Sequence, residues 1–175
     1  MGDVLIVDGY NVIHQHEQLK KIFLKSMDDA RLRLIEILAN YVSYIGWTLM
    51  IVFDAHKVKD GIGSCEQYDT NTHIVFTGKN ETADSFIEKM VHDMTNECNI
   101  WVATSDKDEQ FYVMTQGANR ISARELWVKI TDAENKMMEN KKIKHQTIQN
   151  NFLKNRIDST VRDRLEKMRR GFYLE

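Results

Sequence analysis

The sequence predicts an α/β domain on a mainly parallel sheet, followed by a basic helical C-terminal extension. Three observations predict it. Short continuous apolar runs recur along the chain, as strands buried on both faces require. The segments between them carry apolar residues at helical spacing, so strand and helix alternate and right-handed crossovers follow. An aspartate stands within two residues of the end of three of these runs.

The first strand is Val4-Leu5-Ile6-Val7, ending at Asp8, and a polar stretch follows it. Ser26-Met27-Asp28-Asp29 opens a helix, with an N-cap serine and acids in the first turn. Ala30, Leu34, Leu38, Tyr41 and Ile45 form its apolar stripe, and Gly46 stops it. Leu49 to Phe53 is a second strand, ending at Asp54. Residues 57–72 are polar, contain Gly61 and Gly63, and are expected to form a long loop. His73 to Thr77 is a third strand. Asn80 is expected to cap a helix whose apolar face is Ala83, Phe86, Ile87, Met90, Val91 and Met94.

Ile100 to Thr104 is a fourth strand, ending at Ser105-Asp106, and a short helix from Gln110 to Thr115 stops at Gly117. Arg120-Ile121 adds a brief fifth strand. Ser122-Ala123-Arg124-Glu125 fits a capping box, serine bonding forward and glutamate reaching back. Residues 1–131 therefore form the α/β domain. Residues 132–175 form the extension, with a last helix expected from Ile157 to Gly171.

Charge follows the same division. The chain carries −2 overall, but the extension has 11 basic and 7 acidic residues, against 13 and 19 in the rest. An acidic body with a basic tail is compatible with RNA binding, and so are plain solvated helix faces. No apolar run approaches the roughly 20 residues of a membrane-spanning helix. Met1-Gly2-Asp3 enters the first strand without a leader-like segment, and Cys65 and Cys98 form no metal-binding or redox pair, so a cytoplasmic location is expected. A monomer is expected rather than an oligomer.

In a parallel sheet, ligands bind beyond the carboxyl ends of the strands. Asp8, Asp54 and Asp106 project from that edge, and Asp84 lies in the first turn of a helix that starts there. A single aspartate after a strand usually forms a turn or caps a helix; four at one edge repel strongly and call for a cation. Hard oxygen ligands favour Mg²⁺ or Mn²⁺, which activate water against phosphodiesters without a protein nucleophile. Other chemistries fit less well. Tyr10 stands where a dehalogenase-type phosphatase needs a second aspartate, and neither a P-loop nor a Gly-x-Ser-x-Gly elbow occurs. His14 and His16 are expected at the surface.

Several segments, in order, resemble NYN-domain nucleases, relatives of the PIN domains, and within them the YacP-like branch. They are Val7-Asp8-Gly9-Tyr10-Asn11, Val52-Phe53-Asp54-Ala55, Glu81-Thr82-Ala83-Asp84, Ala103-Thr104-Ser105-Asp106 with Glu109-Gln110, and Ser122-Ala123-Arg124-Glu125-Leu126-Trp127. The resemblance implies a three-layer PIN-like fold and metal-dependent endonucleolytic cleavage of RNA. Asp8, Asp84 and Asp106 match the carboxylate positions, and Asn11 the polar residue that orders the site. Asp54 and Asp108 are provisional metal ligands. The resemblance also implies cutting of mRNA in the ribosomal A site, where the ribosome rather than base readout selects the substrate. Arg120 and Arg124 are candidate phosphate contacts, and Lys57, Lys59 and Tyr68 candidate contacts from the loop. Two alternatives stay open: an RNA or ribosome adaptor without turnover, and a nuclease for structured tRNA or rRNA.

Overall fold

A computed structural model describes residues 2–54, 63–95 and 97–156, with the backbone alone at 107–108 and 143–156. Its elements alternate as the apolar runs dictate. They are β1 (Val4–Asp8), α1 (Gly9–His14), α2 (Glu17–Phe23), α3 (Met27–Ile45), β2 (Thr48–Phe53), β3 (Ser64–Asp69), β4 (Thr72–Phe76), α4 (Ala83–Met94), β5 (Ile100–Ala103), α5 (Lys107–Thr115), β6 (Asn119–Ile121) and α6 (Ala123–Arg156). The first compact unit is Met1–Ala133, and a second begins at Glu134.

The six strands lie in the order β3-β4-β2-β1-β5-β6. All neighbours are parallel except β3, which runs antiparallel to β4. The register sets Val7 against Ile51 on one side and Ala103 on the other, so β1, β2 and β5 end almost level. Both faces of the sheet are covered, which explains the unbroken apolar runs. On one face Val4, Ile6, Val52 and Val102 pack with Ile87 and Val91 of α4 and Val113 of α5. On the other, Leu5 shares an apolar hollow with Tyr41 of α3 and Leu126 of α6. The domain is thus three-layered.

The helix ends follow local chemistry. The Ser26 hydroxyl accepts from the Asp29 N–H at 3.2 Å to start α3, and Gly46 closes it at φ 75°, where a side chain would be strained. Before α6 the capping box is complete: Glu125 N–H donates to Ser122 Oγ at 3.2 Å, and Ser122 N–H to Glu125 Oε2 at 2.8 Å.

Four local expectations are corrected. The polar stretch after β1 holds two short helices, anchored by buried Val12, Ile13 and Leu19. Short helices bury too few residues to show a period. Part of the expected loop 57–72 is the edge strand β3, whose residues are all exposed and so lack the alternation of a half-buried strand. The cap of α4 is Thr82, not Asn80; its hydroxyl accepts from the Ser85 N–H at 3.1 Å. The short helix begins at Lys107 rather than Gln110. The helix expected from Ile157 lies outside the described residues. Among the described residues no helix is long and apolar enough to cross a membrane.

The turn from β1 into α1 is tightly packed. Phe53 is fully buried, with the Tyr10 ring edge-on to it at 5.2 Å and the Phe76 ring stacked at 5.6 Å. A Cβ on Gly9 would collide with the Phe53 ring. Gly9→Ala is therefore expected to lower stability by about 1–3 kcal/mol, as overpacking does in a filled core. Urea unfolding measures this, and an unchanged midpoint would contradict it.

Candidate active site

In this sheet the strand order reverses between β1 and β5: the chain builds outward through β2 and β4, then returns across β1 to β5. A ligand crevice is expected there, beyond the strand ends. Asp8 closes β1 and caps α1, its Oδ1 accepting the Asn11 N–H at 3.1 Å. The turn-forming role and a site role therefore coexist in one carboxylate. The Asn11 side chain continues across the crevice, its Oδ1 accepting the Ser105 N–H at 3.1 Å. This bond ties the end of β1 to the loop after β5.

From the far side of that loop comes a residue that the sequence reading quoted within a motif but gave no role in the site. Glu109, in the first turn of α5, is only 3% exposed. Neither of its carboxylate oxygens has a hydrogen-bond partner of normal geometry. Carboxylate oxygens of Asp8, Asp84 and Glu109 lie within 4.8 Å of one another. Asp84 is exposed, in the first turn of α4. Asp106 is also exposed; its Oδ1 accepts the Glu109 N–H at 3.4 Å, while its own N–H donates to the buried Thr104 hydroxyl at 3.1 Å. Asp106 thus starts α5 and aims Glu109 inward. The signal available in the sequence was spacing: three residues past Asp106, a helix returns its side chain to the same edge.

The electrostatics record the crowding. Burial pushes the Asp8 carboxyl up to about 6; the Asn11 N–H opposes this, and the charges of Asp84 and Asp54 add to it. Burial pushes Glu109 up to about 8, with the Thr104 hydroxyl opposing and the charges of Asp8, Asp84 and Asp106 adding. Asp84 is also raised, by partial burial and then by Asp106 and Asp54. Buried anions of one sign are costly unless a cation compensates them. The donor set is all oxygen, which suits a hard divalent ion.

The remaining candidates divide. Asp54 directly follows β2, half-buried and close enough for its charge to be felt at Asp8 and Asp84. The Asp108 side chain, Lys57 and Lys59 lie outside the described residues. Tyr68 is exposed on the edge strand β3, with β4 and β2 between it and β1. Arg120 is exposed on β6, and its Nη1 donates to Gln110 Oε1 at 3.1 Å. Gln110 Nε2 in turn donates to the Thr104 carbonyl at 2.7 Å, so the guanidinium is tethered to the end of β5. Arg124 is exposed in the first turn of α6. His14 is exposed; His16 caps α2, its Nδ1 accepting the Leu19 N–H at 3.3 Å.

A family model for the YacP-like NYN domain matches residues 5–170. A Bacillus subtilis (strain 168) protein, described as uncharacterized protein YacP, is 40% identical over 172 residues, covering 97% of this chain and 98% of its own. The crystal structure of Rae1 (YacP) from Bacillus subtilis is similar with a TM-score of 0.69 at 38% identity, over 97% of this chain and 95% of that one. A tryptophan-to-leucine mutant of that protein gives a TM-score of 0.69 at 40% identity, over 81% and 83%.

A mainly parallel sheet with carboxylates at its switch point is the arrangement of a PIN-like, nuclease-type domain. The chain belongs to the YacP-like NYN family.

Proposed function

We propose that the chain is a Mg²⁺- or Mn²⁺-dependent endoribonuclease that cuts mRNA in association with the translating ribosome. The observation that carries the metal-dependent reading is Glu109: a buried carboxylate whose two oxygens have no hydrogen-bond partner of normal geometry, beside Asp8 and Asp84. Such a group is stable only with a cation or a proton. Asp8, Asp84 and Glu109 would hold the ion, with Asp106 and the provisional Asp54 and Asp108 around them. The ion would lower the pKa of a water for attack on phosphorus and offset charge on the phosphate.

The chain's own residues do the rest. Asn11 would hold the loop after β5, which leads to Glu109, against the turn that carries Asp8. Asp106 orients Glu109 through the helix start. Arg120, held by Gln110, is placed to donate charge-assisted bonds to a phosphate, and Arg124 is a second candidate. The nuclease domain is assigned to residues 1–131 and the basic extension to 132–175, in a cytoplasmic monomer. The ribosome enters through the resemblance to the YacP-like branch. An adaptor gains nothing from clustered carboxylates near RNA, which favours turnover.

The test compares one transcript, naked and under active translation, with wild-type and Asp8→Asn protein in Mg²⁺ or Mn²⁺. Cuts by the wild type alone, restricted to the translated transcript, are expected. Equal cutting of naked RNA removes the ribosome from the proposal. Undiminished cutting by a folded Asp8→Asn variant removes the site.

A further inference from the structure

The acidic centre opens into a cleft along α5 that joins Asp84, Asp106 and Glu109 to Phe111 and Tyr112. Phe111 is 72% exposed, whereas Val113, two residues on, is fully buried. The core therefore takes Val113 and leaves the larger Phe111 side chain outside, along the cleft. Tyr112 is half-buried beside it. Glu109, almost fully buried and without a hydrogen-bond partner of normal geometry, lines the same cleft. Its polar end is thus built for a ligand, and its aromatic end is left for one.

Charge decides which part of a nucleotide the aromatic end attracts. Among the described residues no lysine or arginine lines the cleft, while four carboxylates do, Glu88 with Asp84, Asp106 and Glu109. On the nuclease reading the ion held by these carboxylates would draw the scissile phosphate. No cationic side chain among the described residues is left in the cleft for the neighbouring phosphates, so further attraction has to come from the uncharged part of the substrate. A nucleobase supplies it, because a flat π-face stacks on an aromatic side chain irrespective of sequence. Bases in a duplex already have both faces covered, which restricts the subsite to single strands.

We infer that Phe111, with Tyr112, forms a stacking subsite for an unpaired nucleobase next to the scissile phosphate, taking single-stranded RNA of any sequence. This rests on the nuclease reading above and adds to it the source of substrate affinity.

The test measures Kd by fluorescence anisotropy for the full chain in Ca²⁺ buffer, with a short single-stranded 2′-O-methyl oligoribonucleotide and with the same oligonucleotide made abasic. Phe111→Ala is expected to weaken binding of the intact strand roughly 5- to 150-fold. Phe111→Trp is expected to keep it. Wild type should bind the abasic strand about as weakly as Phe111→Ala binds the intact one, with no further loss when the two changes are combined. Matching thermal unfolding midpoints check that the exposed substitutions leave the fold intact.

An unchanged Kd, an equal loss with the abasic strand, or no saturable binding by the wild type overturns the subsite. So does a defect confined to binding of ribosomes, which would make Phe111 a protein contact. Metal-dependent cutting of translated mRNA, measured on the same proteins, separates the two readings. Stacking without any cutting removes the nuclease reading alone, and normal cutting with an unchanged Kd removes the subsite alone.

Discussion

Exchanging Glu109 for glutamine is expected to reduce metal-dependent cleavage roughly 100-fold or more while leaving the fold intact. The amide keeps the shape of the side chain but offers one weak oxygen where a carboxylate offers two charged ones. Isothermal titration with Mn²⁺ should show the same loss, because the ion would keep only Asp8 and Asp84 of the three converging groups. In metal-free buffer at about pH 8 the variant should be more stable than wild type, on the order of 1–3 kcal/mol, since a buried negative charge is gone. The combination is diagnostic. A structural glutamate would lose stability on substitution, whereas a metal ligand loses activity and gains stability. Wild-type cutting and Mn²⁺ affinity in Glu109→Gln would return the third position to Asp106.

The second large effect is a stability that falls as pH rises. Asp8 and Glu109 both have folded-state pKa values above their ordinary ones, at about 6 and about 8. Between the ordinary and the raised value the folded chain binds more protons than the unfolded chain. Stability then decreases with increasing pH, the reverse of the behaviour of a salt-bridged carboxylate. The loss starts near the ordinary carboxylate range, is complete for Asp8 above about 6, and continues for Glu109 to about 8. Its total is on the order of a few kcal/mol. Urea midpoints in EDTA should therefore drop from about pH 5 to about pH 8.5. With saturating Mg²⁺ the drop should shrink or reverse, because the ion binds the deprotonated carboxylates and the folded state alone assembles them. A metal-free midpoint that rises over the same interval would show that these carboxyls are not held up by burial.

Much of the scaffold was legible because it rests on burial. β1, β2, β4 and β5 are covered on both faces, so their apolar runs were unbroken. α3 and α4 are long enough for their stripes to repeat. β3 was illegible for the opposite reason: Ser64 to Asp69 are all exposed, so their pairing with β4 leaves no apolar pattern to read. α1 and α2 were missed because two short helices share just a few buried anchors. The site divided along similar lines. Asp8, Asp54 and Asp106 could be placed because a strand end fixes where the next residue points. Glu109 sits one helical turn further on, where a side chain's direction depends on the residue at which the helix starts. That start, set by Asp106 and Lys107 rather than Gln110, was the missing piece.

The bond from Asn11 to the Ser105 N–H joins positions 94 residues apart. Contacts this distant in sequence form late, since a long loop must close before they contribute. An N-terminal fragment ending before β5 contains Asp8, Asn11 and Asp84 but neither Ser105 nor Glu109. On the nuclease reading proposed above, a chain still in synthesis would lack a complete acidic centre, and competence to cut would arrive only once its sheet has closed across the switch point.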